Sequence, residues 1–467
     1  MPEYDLVIIG GGAGGFGAAI KANDLGARTA LVHAGLPLGG TCVNVGCVPS
    51  KTLLWAAEVL HTATHHRIPG LDLRVARLDV GAIMRDELAL VQRLRDEKYA
   101  AVLRGLEHVS LVHGSARFTD AHTIAVDGQS LSARHIVIAT GSTATVPAVP
   151  GLREVGYLTH IEALQHEQRL ESLVIVGAGP VGLEFGQLFA RLGAHVTILQ
   201  RGSAIGVRTE PVLAQRLIEI LEAEGVRFVF DAEVIGAERV GRQKRVTYRA
   251  GGRSQTVDSD EILLAAGKTP NTAPLGLDVA SVSTNAKHAI VVSPALETSA
   301  SHVYAVGDVA ALPARVEMTA GHEGTLAAEN ALTGSAKSID YDSVPYTVFT
   351  DPQLAGVGLT EDEEMHRLGQ CLCRTVSFED VPKARILKRT EGLVKMAIHP
   401  ETKIIMGVHL LAPHGGDLIA LAMMLVRNRN TIDDLLESLP MFPTLSESIK
   451  LVALAFTRDI SKVSCCV

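Results

Sequence analysis

The chain of 467 residues is poor in cysteine, in clustered basic residues and in long apolar runs, and each scarcity removes a class of protein. Six cysteines spread over that length do not make the disulfide framework of a small secreted domain. Lysine and arginine total 43 against 51 aspartates and glutamates, a formal charge of -8. The basic residues are dispersed, which argues against a nucleic-acid partner. No apolar run reaches the roughly 18 residues needed to cross a bilayer. The nearest, LIALAMMLV at 418–426, reads as a buried helix, so no membrane partner is expected. The opening MPEYDLVIIGGG lacks the basic segment and cleavage site of a signal peptide, and the expected location is the cytoplasm. One hydrophobic core cannot serve so long a chain, which implies about two to four domains.

Glycine, by contrast, is plentiful at 44 residues, and glycines matter most where backbone must approach phosphates. An internal echo organises them. DLVIIGGGAGGFGAA at 5–19 returns as SLVIVGAGPVGLEFG at 172–186, each a β-branched run followed by G-x-G-x-x-G and a helical pattern. In each copy the first glycine (Gly10, Gly177) makes the tight turn and the second (Gly12, Gly179) lets backbone meet a pyrophosphate. The third (Gly15, Gly182) lets helix pack on strand, with the phosphate at the helix N-terminus. Two copies in strand-turn-helix context are strong evidence for two dinucleotide sites. The second strand of the second unit, AHVTILQR, ends in Gln200 and Arg201 where an acid would suit a free 2′-hydroxyl. An arginine there suits a 2′-phosphate and points to NADPH. The matching strand of the first unit ends in His33, a neutral hydrogen-bonding partner for a ribose. IVIATGS at 136–142, ILLAAGK at 262–268 and VYAVGDVA at 303–310 are buried-strand runs that bring small residues to a cofactor. The first unit is therefore interrupted by the second and resumed near 270, and from about 340 a separate α+β domain follows.

Between the two copies lies GGTCVNVGCVPSKTLLWAAEVL, with Cys42 and Cys47 five apart. In one regular helix that spacing misaligns the sulfurs, whereas a disulfide needs Cα atoms within about 7 Å. The segment is expected to be irregular at Cys42, with a helix starting near Val48 and Pro49 in its first turn. Cys47 then sits at a helix N-terminus, where the dipole favours thiolate, and Lys51 one turn later adds positive charge. Cys371 and Cys373, in QCLCRT, alternate on an apparent strand and read as structural.

These motifs resemble those of the pyridine nucleotide-disulfide oxidoreductases over nearly the whole chain. The resemblance implies an α/β fold of two Rossmann-like domains, for FAD and NADPH, plus a C-terminal α+β dimerisation domain. The boundaries are 1–148 and 270–339 for the FAD domain, 149–269 for NADPH and 340–467 for dimerisation. It implies Cys42 and Cys47 as the redox-active pair, Cys47 nearer the flavin and Cys42 more accessible. Lys51 paired with Glu184 would lie near the flavin ring and Asp308 would bind the ribityl chain. Gly40, Thr41, Ala116, Thr140, Gly141 and Gly267 complete the expected cofactor contacts. Active sites in this family are shared across a homodimer.

Departures from the family pattern narrow the chemistry. Disulfide-reducing members carry a His-Pro pair near the C-terminus whose imidazole shuttles a proton. Here MFPTLSE puts Phe442 at that position, while Pro443, Thr444 and Glu447 persist. The chain ends in KVSCCV, and if the partner's tail reaches the site, Cys465 and Cys466 join Cys42 and Cys47 as four thiols, a ligand set for a soft metal. This combination resembles the mercury-reducing branch of the family, with Hg(II) or its thiol complexes as substrate. The rival is a disulfide reductase, such as a thioredoxin reductase, with a C-terminal dithiol. From a different class, the alternative is a flavoprotein that only buffers soft metals.

Overall fold

The computed structural model describes residues 2–464. The run at 4–9 is rich in β-branched residues and followed by glycines, and it forms the central strand of the first sheet, Tyr4–Ile9. Parallel neighbours are Thr29–His33, in register Leu6 to Thr29, and Gln129–Ile138, in register Leu6 to His135. Val109–His113 extends the sheet beyond Thr29–His33. The late strand Val303–Ala305 pairs in parallel with Gln129–Ile138, so distant parts of the chain close one sheet. Because the strand order reverses at Tyr4–Ile9, a crevice opens at the carboxyl ends of these strands.

A second parallel sheet holds Ser172–Val176, His195–Leu199, Val226–Val229 and Glu261–Leu264. Its apolar run Leu173, Val174 and Ile175 is buried on both faces, as a parallel strand between helices requires. The C-terminal part is a five-stranded antiparallel sheet whose outer strands are Tyr346–Val348 and Leu372–Ser377.

Helices Ala13–Asp24 and Glu317–Thr333 pack against each other through glycines. A Cβ on Gly17 would lie 2.1 Å from the Gly321 carbonyl oxygen, and one on Gly324 1.9 Å from that of Gly14. This backbone-close packing fixes where the second helix begins, and so where Glu317 stands.

The 418–426 segment corrects its expectation. Helix Gly415–Arg427 buries Ile419, Ala422 and Leu425 against the sheet but leaves Leu421 and Met424 exposed, because it covers the sheet from one side only. Among the described residues no helix is long and apolar enough to cross a membrane.

Candidate active site

Cys42 lies within a short helix, Gly40–Val45, and Cys47 is the first residue of the helix Cys47–His65. The expected irregularity at Cys42 is therefore corrected: the break falls at Gly46. A Cβ there would come within 2.9 Å of the Thr41 carbonyl oxygen and 3.3 Å of the Cys42 Cα. The two helices fold this closely over one glycine, and that turn brings the cysteines together. Asn44, which the sequence did not single out, ties the turn down. Its Nδ2 donates to the carbonyls of Pro37, Leu38 and Gly40 at 2.8–3.1 Å, and Arg95 Nε donates to its Oδ1 at 2.7 Å.

The thiols face a carboxylate that sequence reasoning missed. Cys42 Sγ donates to Glu317 Oε2, and the donor atoms of Cys42, Cys47 and Glu317 all lie within 4.8 Å of one another. Glu317 opens the helix Glu317–Thr333, 275 residues away in sequence. Both cysteines are free thiols. The neighbouring Cys47, burial and Glu317 together push the Cys42 thiol well above its ordinary value. The adjacent Cys42 thiol pulls the Cys47 thiol below its ordinary value, with Lys51 assisting against burial and Glu317. Tyr99 beside them is pushed up to about 12 by burial and by Glu317.

Lys51 Nζ sits 2.7 Å from Glu184 Oε2 and 4.6 Å above the Phe349 ring. Glu184 is buried, and its second oxygen accepts the Phe349 N–H at 2.9 Å. Lys268 faces Asp308 and Cys47, and burial lowers its pKa. Because the Cys47 pKa is lowered, its thiolate persists below the usual thiol range and is lost as pH falls through the lowered value. In the reduced enzyme, alkylation by iodoacetamide is expected to show a lower pH midpoint at Cys47 than at Cys42. Peptide mass spectrometry across pH checks this, and equal midpoints would refute it.

The glycine loops have the form of two nucleotide cradles. A Cβ on Gly10 would lie 2.2 Å from the Ala139 carbonyl oxygen, and one on Gly15 1.8 Å from that of Gly10; the nearest atom to one on Gly12 is at 3.8 Å. The second unit repeats the pattern, with 2.3 Å at Gly177, 2.0 Å at Gly182 and 3.8 Å at Gly179. The outer glycines are demanded by close packing, and the middle one leaves open space at a helix start. Helices Ala13–Asp24 and Pro180–Arg191 have no side-chain cap and no acid in the first turn, so their amide donors remain for a phosphate.

His33 is buried at the end of its strand, and its Nδ1 has no hydrogen-bond partner. A Cβ on Gly11 would meet that nitrogen at 2.6 Å, so the ring borders the first loop, and burial keeps it neutral. An unpartnered polar atom at this place fits a ribose hydroxyl. Gln200 is engaged otherwise: it accepts from the Ala178 N–H at 3.0 Å and donates to the Ala204 carbonyl at 2.9 Å, bracing the loop, while Arg201 is exposed beside it. Asn271 pins Thr140 and Gly141 through bonds of 2.9–3.0 Å, and Ser142 Oγ donates to Asp308 Oδ2 at 2.6 Å. Gly40 packs on Gly12, Thr41 precedes Cys42, and Gly267 has open space around it. Ala116 is buried in the strand Ala116–Asp120, opposite Val126.

Phe442 is 43 % exposed, beside Leu439 at 95 % and Met441 at 77 %. Glu447 has a buried Oε2 without a hydrogen-bond partner, and burial raises its pKa. Cys465 and Cys466 lie outside the described residues.

Residues 4–332 match the family described as pyridine nucleotide-disulphide oxidoreductase, and 344–453 match its dimerisation domain. The chain is similar to a mercuric reductase of Streptomyces lividans, 39% identical, covering 99% of this chain and 98% of that one. It is 36% identical to a mercuric reductase of Lysinibacillus sphaericus, over 99% of this chain and 84% of the relative. Among solved structures it resembles the Cu(II) complex of the HOCl-induced flavoprotein disulfide reductase RclA from Escherichia coli, with a TM-score of 0.87, 26% identity and coverage of 98% and 100%.

Proposed function

Since this chain belongs to the pyridine nucleotide-disulphide oxidoreductases, we propose that it is an NADPH-dependent FAD enzyme that reduces Hg(II) to Hg(0). The observation that carries the reading is the donor set of two sulfurs and one carboxylate gathered within 4.8 Å. Soft thiolates select soft cations. The most similar relatives cited above are named mercuric reductases, and Phe442 can neither give nor take the proton that a thiol product needs.

FAD is assigned to 1–148 and 270–339, against Gly10, Gly12, Gly15 and His33; NADPH to 149–269, against Gly177, Gly179, Gly182 and Arg201. The chemistry these groups supply when bound is hydride donation and relay of an electron pair. The remaining work falls to the chain. Cys47 is held as thiolate by the adjacent Cys42 thiol and Lys51, and Glu317 accepts the Cys42 proton as that sulfur engages the metal. The two sulfurs displace the incoming thiols from Hg(II), and Lys51 and Lys268 offset the accumulated negative charge. The balance is Hg(SR)2 + NADPH + H+ → Hg(0) + NADP+ + 2 RSH.

The domain from 340 onward forms a homodimer in this reading, and the exposed Leu421, Met424, Leu439 and Met441 supply apolar surface for it. The partner's Cys465 and Cys466 then deliver the metal thiol by thiol. The test is NADPH oxidation stimulated by Hg(II) in excess thiol, with little turnover on glutathione disulfide, lipoamide or thioredoxin. Replacing both Cys465 and Cys466 by alanine is expected to slow turnover about tenfold or more when Hg(II) is offered as a strong dithiol complex, since a positioned ligand replaces a bimolecular exchange. An unchanged rate there would refute delivery.

A second reading, disulfide reduction through the tail dithiol, is favoured by one observation. Glu317 beside Cys42 supplies a proton acceptor that Phe442 does not. Vigorous thioredoxin turnover without a mercury response would establish that reading instead. Metal buffering alone predicts binding without NADPH consumption.

A further inference from the structure

A second group of sulfur and carboxylate donors lies on the edge of the C-terminal sheet. The helix Glu361–Leu368 is capped by Thr360, whose side chain accepts from the Glu363 N–H. It ends at Gly369, in the left-handed conformation at φ 72°, and the chain doubles back into the outer strand Leu372–Ser377. This reversal sets Cys371 and Cys373, which are two apart on extended chain and so share a side, against Glu361 and Glu364, which share a helix face. The donor atoms of Glu361, Cys371 and Cys373 lie within 4.8 Å of one another.

Glu364 supplies an independent indication. Its side chain is fully buried, one oxygen lies 4.0 Å from Cys373 Sγ and the other has no hydrogen-bond partner. Buried carboxyls are ordinarily paired, and an unpaired one among sulfurs leaves a place for a cation. The charged groups acting on it are Glu361 and Glu210, and Lys395 Nζ lies 2.7 Å from Glu210 Oε2 and also contacts Glu361. Lys395 is shared between two carboxylates, so the cluster keeps an excess of negative charge.

We propose that Cys371 and Cys373, in their dithiol form, bind a zinc-group dication together with Glu361 and Glu364. Two thiolates and two carboxylates make a mixed donor set that suits Zn(II) and Cd(II). Cys371 and Cys373 are joined as a disulfide with Cα atoms 6.1 Å apart. The site is therefore opened by reduction: two small thiols are oxidised to one disulfide, the protein S–S bond breaks, and each sulfur takes one proton. Binding of the dication then releases both thiol protons and, when it is protonated, that of Glu364. Oxidation closes the site. The assignment does not depend on the mercury chemistry, because none of its residues belongs to the cluster around Cys42.

Cadmium is the probe. The full-length flavin-loaded protein carrying Cys42→Ala, Cys47→Ala, Cys465→Ala and Cys466→Ala retains only this cysteine pair. Reduced with a small thiol and desalted, it is expected to bind one Cd(II) per chain, with thiolate-to-cadmium absorption in the ultraviolet. Further Cys371→Ser and Cys373→Ser changes should abolish the absorption, and Glu364→Gln should weaken binding about tenfold. No cadmium retained after reduction, or retention unaffected by the serine changes, overturns the proposal. Should the alanine variant lose its flavin, the unmodified enzyme gives the answer by mass spectrometry. Cd(II) should protect Cys371 and Cys373 from iodoacetamide after reduction, and full alkylation in its presence overturns the assignment.

Discussion

Cys47→Ser is expected to lower Hg(II)-dependent NADPH oxidation by at least about a thousandfold while leaving the flavin bound, the scale on which enzymes lose rate when their nucleophile is removed. Cys47 is the first residue of the helix Cys47–His65, lies beside the Cys42 thiol and has Lys51 one turn further on. Serine keeps the shape of that position but stays protonated at any working pH, and its oxygen is a poor ligand for a soft ion. Its alcohol cannot form the disulfide with Cys42 either. Steady-state assays alongside the flavin spectrum check this, and activity above about one tenth of the parent's would remove Cys47 from the reaction. Cys42→Ser should leave more activity with weakly complexed Hg(II), since Cys47 and Glu317 still offer two donors.

Lys51→Met is expected to destabilise the holoenzyme by about 2–4 kcal/mol, the cost of stranding a buried charge by removing its partner. Glu184 is 5 % exposed and would keep only the Phe349 N–H. Methionine fills the lysine's stem volume and also keeps a side chain against the Phe349 ring, so the loss comes from charge rather than packing. Removing both charges, with Lys51→Met and Glu184→Leu together, should recover part of the stability, because no unpaired carboxylate remains. The temperature of flavin release in the parent, Lys51→Met, Glu184→Leu and the double variant measures the effect. A single variant no less stable than the parent would show that the pair is not coupled in the fold. The same change should shift the Cys47 alkylation midpoint toward higher pH, since the cation that lowers it is gone.

Much of the site was legible because its causes are local. The two glycine loops announce themselves in sequence since steric demands act within a few residues: Gly15 closes on Gly10 and Gly182 on Gly177. The cysteine spacing likewise signalled a turn, although it did not say where the chain would bend. Gly46 takes the bend, because its missing Cβ is what lets the Thr41 carbonyl approach. The alternation of Cys371 and Cys373 suggested a strand, but nothing in it says that Glu364 will be left without a partner.

The sequence by itself determined two glycine loops of nucleotide-binding form, a cysteine pair at a helix start and a phenylalanine at 442 where the family resemblance leads one to expect histidine. Tertiary structure alone decided that Glu317 reaches Cys42 across 275 residues, that Gln200 braces its own loop, and that the 418–426 helix leaves one face uncovered. The physical reason is range. Backbone sterics and helix termini act on neighbours in the chain, whereas a carboxylate finds its thiol only after Ala13–Asp24 and Glu317–Thr333 have packed glycine to backbone, a contact that no local pattern encodes.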